Sequence, residues 1–289
     1  MFTGFEAYRD AIDRELQRIA DTFPPHSPQL TEAMRYSLLS PGKRVRGIMT
    51  LLSAEALGAP ASQFLPVAVG LEAIHAFSLV HDDLPALDND AYRRGRPTTH
   101  VVYGEAMALL AGDALLVLGF EEILRAPDIA EEHRAALALR LAYAAGAWGM
   151  TAGQALDIVF EGSRPTPEEH RLMNRLKTGC LFGFALSAPA VVRAPERVEE
   201  LDEIGSVLGV AFQFSDDILE ATSTLEALGK PTDSDMKKGK PTAVALYGLE
   251  EAMRMKEQLY DEAIERLSRV RGSWETVIEL VQRIRARTA

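Results

Sequence analysis

Two long apolar segments each run into a knot of carboxylates, and few folds accept that pattern twice. The first, Ser62 to Asp83, is apolar over most of its length and leads into His81-Asp82-Asp83-Leu84-Pro85-Ala86-Leu87-Asp88-Asn89-Asp90. The second, Glu196 to Leu219, carries Asp216-Asp217-Ile218-Leu219-Glu220 at its end. A helix that is apolar on all sides has to be buried, so its charged end must meet something that compensates it. In a straight helix Asp82 and Asp88 point about 120° apart and sit about 9 Å apart along the axis, too far to share one ion. Pro85 changes that, because it removes a backbone donor and obstructs the carbonyl four residues back. The helix must kink or end there, which can turn Asp88 back toward Asp82. Asp216 and Glu220 lie four apart and share a helix face, where they repel without a cation. Carboxylates at a helix C-terminus also oppose its dipole. A single acidic helix end is often merely solvated. Two of them, each closing an apolar helix, favour binding, and hard oxygen ligands open on one side fit Mg²⁺.

The rest of the chain reads as helical nearly throughout. Tyr8, Ile12, Leu16 and Ile19 recur at spacings of three and four, and further helices are predicted over 28–39, 44–57 and 196–219; 105–124, like 62–83, is mostly apolar and is expected to be buried on both sides. One or two helices are predicted over 130–160, with Gly146, Gly149 and Gly153 as breaks. Thr166-Pro167-Glu168-Glu169 is a capping box that starts a helix reaching about Val192. Ser223 to Lys240 is rich in Gly, Pro, Asp and Lys and is predicted as a loop. Two amphipathic helices, Thr242–Val270 and Ser273–Arg285, end the chain. No alternating strand pattern occurs. Aromatic residues make up only 7% of the 289 residues, while Ala and Leu abound, a mix that favours helix. The expectation is an all-α protein, one domain over residues 1–289 with about ten or more helices.

The formal net charge is −11, which excludes the electrostatic footprint of a nucleic-acid binder. Ala106 to Phe120, read as the longest apolar stretch, is interrupted by Asp113 and too short to span a bilayer, so no stable membrane insertion is expected. Cys180 is the only cysteine. Together with an N-terminus lacking an apolar signal core, it points to the cytoplasm.

Cations flank the acids. Gly42-Lys43-Arg44-Val45-Arg46 lies at a loop-to-helix start, and Arg93-Arg94-Gly95-Arg96 follows the first acidic run. Lys177-Thr178 sits in an apolar helix, and Lys230 and Lys237-Lys238-Gly239-Lys240 follow the second run. Singly, each such patch is an ordinary solvated surface. Beside the acids, they form the complement that a diphosphate held through Mg²⁺ requires.

These residues resemble a known family. GKRVRG (42–47), EAIHAFSLVHDDLPALDNDAYRRGRPTTH (72–100), AGDALL (111–116), GQALD (153–157), KTG (177–179), QFSDDILE (213–220), LGK (228–230) and GKPT (239–242) are similar, in order and spacing, to trans-polyprenyl diphosphate synthases. The resemblance implies the isoprenoid synthase fold, a helical bundle around a deep central cavity, assembled as a homodimer. It implies head-to-tail condensation of isopentenyl diphosphate with dimethylallyl or geranyl diphosphate. Three Mg²⁺ ions would bridge the two aspartate motifs and the allylic diphosphate. Asp82, Asp88 and Asp216 match the metal ligands, with Asp83 and Asp217 supporting them. Gly42, Lys43, Arg46, His75 and Arg94 match the isopentenyl diphosphate site. Arg93, Lys177, Gln213, Lys230 and Lys240 match the allylic diphosphate site, with Thr178 near the reacting end. Gln154 and Asp157 are either structural or flank the site, and His100 and Cys180 are read as packing residues. Without the resemblance, His75 would pass for a buried core histidine.

Four residues separate Asp83 from Asp88, the longer form of the motif seen in bacterial and plant members. Phe77 lies five residues before Asp82, about 7.5 Å down the helix. In the family an aromatic side chain there floors the product pocket, while the adjacent Ser78 is small. The expected product is farnesyl diphosphate, with geranylgeranyl diphosphate as the alternative. Glu220 departs from the family, which more often has Asp. Rival readings are a class I terpene cyclase, a metal-dependent phosphohydrolase and a non-catalytic partner subunit. The first lacks a counterpart to Lys43, Arg46 and His75. The second needs more ligands than six scattered histidines supply. The third sits poorly with intact acidic motifs.

Overall fold

The computed structural model describes residues 4–222 and 239–287. Among them, regular structure is helical apart from one two-stranded ribbon, as the periodicity predicts. The chain divides into two compact units. The N-unit takes Phe2–Leu51 and Ala61–Ala138, and the C-unit takes Leu52–Pro60 and Leu139–Ala289, each through its described residues.

The N-unit is built from α1 (Glu6–Asp21), α2 (Pro28–Leu38), the start of α3 (Val45–Ala56), α4 (Leu65–Asp82), α5 (Thr99–Tyr103), α6 (Glu105–Leu124) and the start of α7 (Glu131–Ala145). Helix α4 lies along α6 and buries Val67, Leu71, Ile74 and Val80, together with the carboxylate of Glu72. The stretch Ala61–Asp82, rather than Ala106–Phe120, is the described helix long and apolar enough to cross a membrane, with a mean hydropathy of 1.5. Since 67% of that window is buried inside the protein, it is a core helix.

Pro85 acts as its chemistry dictates. Helix α4 stops at Asp82, and the following turn closes when the Asp88 N–H donates to the Asp82 carbonyl at 2.8 Å. The Asn89 N–H donates to the Leu84 carbonyl at 3.0 Å. Beyond it, β1 (Tyr92–Arg93) pairs antiparallel with β2 (Arg96–Pro97). Arg94 and Gly95 both have positive φ, 52° and 74°, the twist that a two-residue hairpin turn demands. The sequence reading has no strand here, because two residues per strand leave no alternation to see.

The C-unit contains the end of α7, then α8 (Met150–Val159), α9 (Pro167–Asn174), α10 (Cys180–Ser187), α11 (Ala190–Arg193), α12 (Val198–Thr222), α13 (Ala243–Tyr247), α14 (Leu249–Arg269) and α15 (Glu275–Arg285). Val210, Phe214 and Ile218 of α12 pack on Ala243 and Ala252, with Tyr247 and Leu259 alongside. The capping box forms in full: the Glu169 N–H donates to Thr166 Oγ1 (3.2 Å) and the Thr166 N–H to Glu169 Oε2 (2.7 Å).

Two helix predictions need correction. The one starting at Thr166 does not run unbroken to Val192. It is interrupted by a π-turn over Arg175–Gly179, and α10 ends at Ser187. The one over Thr242–Val270 is split at Gly248. Gly153 is not a break either. It lies inside α8, where an added Cβ would stand 2.1 Å from the Lys177 backbone nitrogen, so its missing side chain lets α8 press against the π-turn. Insertions of this kind are frequent at functional positions. The expected loop over Ser223–Lys240 lies almost wholly outside the described residues.

His170 is fully buried between α9 and α13. Its Nδ1 is 3.1 Å from the Tyr247 hydroxyl, and Asn174 Nδ2 donates to its Nε2 at 3.0 Å. Burial pushes its pKa down to about 4 from 6.5. The unfolded chain therefore protonates first on acidification. The stabilising contribution of the neutral ring is present above pH 6.5 and is lost as pH falls toward 4. Thermal melts across that window should show a shallower acid loss in His170→Gln than in wild type, by about 2–3 kcal/mol at the acid end.

Candidate functional site

In the N-unit a cleft is lined by Arg44, Arg93, Arg94 and His75, with Glu72 and Asp83 among them. Arg44 is buried in the turn before α3. It donates to Asp13 (2.8 Å) and to the carbonyls of Leu38 and Ser40, with Glu72 at 3.7 Å. Glu72 also accepts from the Gly47 N–H at 2.9 Å, which explains a carboxylate inside an apolar helix. Arg94 rests against Gly42, where an added Cβ would meet its Nη1 at 2.6 Å, and donates to the Pro41 carbonyl at 2.6 Å. Arg46 Nη1 donates to His75 Nε2 at 3.4 Å.

Positive charge is in excess here, and the pKa values show it. Burial holds His75 well below its ordinary value, and the guanidinium groups of Arg46, Arg94, Arg93 and Arg44 push it further. Burial brings Arg46 down to about 10, with Arg94 contributing. Arg94 is lowered by burial and by Arg93. Each shift comes first from burial, and the neighbouring guanidinium groups add to it.

Asp83, buried at the end of α4, accepts from Arg93 Nε at 2.9 and 3.1 Å and from Nη2 at 2.7 Å. Burial raises its pKa, opposed by Arg93. Asp82 and Asp88 are partly exposed and joined through the backbone bond after α4. Lys43 and Ser78 are also partly exposed, and Ser78 Oγ donates back to the His75 carbonyl at 2.9 Å. Phe77 sits edge-on to His81, with ring centroids 5.0 Å apart.

In the C-unit the π-turn carries Lys177 and Thr178. Lys177 Nζ lies 2.5 Å from Asp157 Oδ2, and Lys240 Nζ lies 3.4 Å from the same oxygen. Asp157 thus gathers two cations that are far apart in sequence. Thr178 Oγ1 donates to Gln213 Oε1 (3.0 Å) and Gln213 Nε2 donates to Asp217 Oδ1 (2.9 Å). The Ala243 N–H donates to Asp217 Oδ2 (2.7 Å). This chain fixes α12 to the start of α13 and engages both oxygens of buried Asp217. Asp216 is 45% exposed and is held by Arg287, whose guanidinium lies 4.2 Å over the Phe212 ring. Glu220 is buried. Lys230 lies outside the described residues.

Several of these roles escaped the sequence reading. Arg44 stood inside a recognised basic run but had no assigned task. Glu72, a lone acid in an apolar helix, was the signal that a buried cation had to face it. Nothing in the local sequence of Asp157 marks two distant lysines as its partners. Arg287 lies beyond α15 in a stretch whose sequence carries no motif that pairs it with Asp216.

No group of three His, Cys, Asp or Glu side chains stands preassembled for a metal among the described residues. The donors fit Mg²⁺ nonetheless. Asp82, Asp88 and Asp216 offer only carboxylate oxygens, are reachable from solvent, and Asp216 already attracts a cation. Mg²⁺ takes one or two carboxylates and fills its remaining positions with water and phosphate oxygens, so a full protein cage is not required.

Inorganic pyrophosphate should bind the N-unit cleft and supply its missing negative charge. The His75 imidazole, followed by NMR, should titrate below the ordinary range in the free protein and move upward when pyrophosphate is added, because a bound anion favours imidazolium. An unmoved His75 signal at saturating pyrophosphate would exclude that cleft as the anion site.

A polyprenyl synthetase family model matches residues 27–281. A farnesyl diphosphate synthase of Geobacillus stearothermophilus is 43% identical over 248 residues, 84% of this chain and 82% of that protein. A geranylgeranyl diphosphate synthase of Cyanophora paradoxa is 38% identical over 266 residues, 91% of this chain and 87% of that protein. Among solved structures, a Helicobacter pylori geranyltransferase complexed with magnesium and isoprenyl diphosphate superposes with a TM-score of 0.82. It is 29% identical and covers 98% of this chain and 95% of that one.

Proposed function

Because the chain belongs to the polyprenyl synthetase family, we propose that this prenyltransferase joins isopentenyl diphosphate to dimethylallyl or geranyl diphosphate and releases farnesyl diphosphate. The observation that carries the reading is the N-unit cleft, where Arg44, Arg46, Arg93, Arg94 and His75 converge in a protein of net charge −11. Four guanidinium groups and an imidazole brought together in one cleft suit a diphosphate.

Lys43, Arg46, His75 and Arg94 take the isopentenyl diphosphate, with neutral His75 as a hydrogen-bonding rather than a charged partner. Lys177, Lys240 and Gln213 of the C-unit take the allylic diphosphate, with Asp157 holding the two lysines side by side beforehand. Thr178 lies beside Gln213 and steadies the reacting end. Asp82, Asp88 and Asp216 would hold the magnesium ions, three of them by the family resemblance. When bound, such ions would supply positive charge that stabilises the departing diphosphate. The protein's own cations add to that effect while apolar walls keep water from the allylic cation. The isopentenyl double bond attacks this cation, and a proton is then lost to the departed diphosphate. No protein nucleophile is needed.

Exposed apolar side chains support a homodimer. Leu109, Leu110, Val117 and Leu124 of α6, and Leu139, Tyr143 and Trp148 of and after α7, are all open to solvent, and Trp148 is 75% exposed. The lone half-buried Cys180, its thiol pushed up to about 11 by burial, agrees with a reducing cytoplasmic setting.

Purified protein incubated with Mg²⁺, labelled isopentenyl diphosphate and geranyl diphosphate should yield farnesyl diphosphate on chromatography. A cyclised hydrocarbon, free phosphate alone, or no turnover would overturn the reading. Arg94→Ala should raise KM for isopentenyl diphosphate by about 10- to 100-fold, the loss of one charged hydrogen-bond partner. It should leave KM for the allylic substrate within about threefold, as separate initial-rate titrations would show.

A further inference from the structure

We propose that His81 is a positioning residue for product length, acting by holding the ring of Phe77. The idea rests on the reading of Phe77 as the floor of the product pocket, and it adds what keeps that floor rigid. Phe77 and His81 are one helical turn apart on α4, facing the same way, so their rings meet at 5.0 Å and an interplanar angle of 78°. His81 is itself fixed from the other side. Its Nε2 donates to the Leu109 carbonyl of α6 at 3.0 Å, and Asp113 Oδ1 lies 3.8 Å away. Its imidazole lies directly on Gly112, where an added Cβ would be 2.1 Å from Nε2 and 2.3 Å from Cδ2. Any side chain at position 112 would therefore occupy the space the imidazole fills.

Sequence position alone does not predict this role. His81 precedes Asp82 and invites assignment as a metal ligand, yet its Nε2 is spent on a carbonyl, which fixes a proton on that nitrogen. What the ring does instead is limit the rotamers of Phe77. An aromatic floor stops chain growth only while it stays in place. A floor free to rotate lets some products grow by a further isoprene unit.

The test is the ratio of twenty-carbon and longer products to farnesyl product, measured at equal conversion for wild type, Phe77→Ala, His81→Ala, His81→Gln, Gly112→Ala and the Phe77→Ala/His81→Ala double variant. Loss of one aromatic contact should raise the ratio about three- to tenfold in His81→Ala. Gly112→Ala should do the same by displacing the imidazole. His81→Gln keeps a donor for Leu109 but no ring, so it should also leak, and it substitutes for His81→Ala if that variant fails to fold. In the double variant the ratio should equal that of Phe77→Ala, because His81 acts through Phe77. A purely structural His81 would lower the melting temperature and leave the ratio at the wild-type value in His81→Ala, His81→Gln and Gly112→Ala. That result overturns the inference while Phe77→Ala still lengthens product. If Phe77→Ala itself leaves product length unchanged, the floor reading fails, and the positioning role fails with it.

Discussion

Ionic compensation on apolar helices is the constraint from which this structure follows. Removing an ion from water costs several kcal/mol even after relaxation, so each buried charge must be met by another or by backbone groups. Arg44 is met by Asp13 and Glu72, Asp83 by Arg93, and Asp157 by Lys177 and Lys240. Asp216, at the exposed edge of its helix, is met by Arg287. These pairs hold the side chains in defined places before any substrate arrives. Preorganised charge of this kind stabilises a developing anion far better than charge that must be recruited from water.

The two units solve the problem differently. In the N-unit, cations outnumber the anions beside them, and the cleft is a standing deficit that an anionic ligand offsets. Burial depresses His75, Arg46 and Arg94, and the guanidinium groups packed together there depress them further. In the C-unit, the lysines have a partner in Asp157, which keeps them extended and close together. The hydrogen-bond chain from Thr178 through Gln213 and Asp217 to the Ala243 N–H then locks the end of α12. Asp217 therefore serves the backbone, and Asp216 next to it keeps an open face. Two adjacent aspartates thus acquire separate tasks from their surroundings.

Much of the fold was legible because helix periodicity is local. Helices α1 and α2 match the apolar spacing closely, and Pro85 and the Thr166 box each act through chemistry confined to a few residues; α6, expected to be buried on both sides, instead leaves Leu109, Leu110, Val117 and Leu124 exposed. What stayed hidden depends on distant partners. The π-turn at Arg175–Gly179 forms where α8 presses in at Gly153, which no window around Lys177 shows. The hairpin at Arg94-Gly95 is set by two positive φ values rather than by any strand pattern. Asp83 and Arg93 looked like contributors to separate subsites, and the turn after α4 joins them. The grip of Asp157 on two lysines brings together three positions spread across 84 residues of the chain, from 157 to 240.

The most direct measurement is a crystal structure grown with Mn²⁺ in place of Mg²⁺ and a thiolo analogue of geranyl diphosphate, with the metal located by anomalous scattering. The expected map has metal peaks ligated by carboxylate oxygens of Asp82, Asp88 and Asp216 and by the diphosphate, with Arg287 released from Asp216. Peaks ligated by other residues, or a diphosphate bound with those three carboxylates unengaged, would contradict the assignment of the acidic motifs.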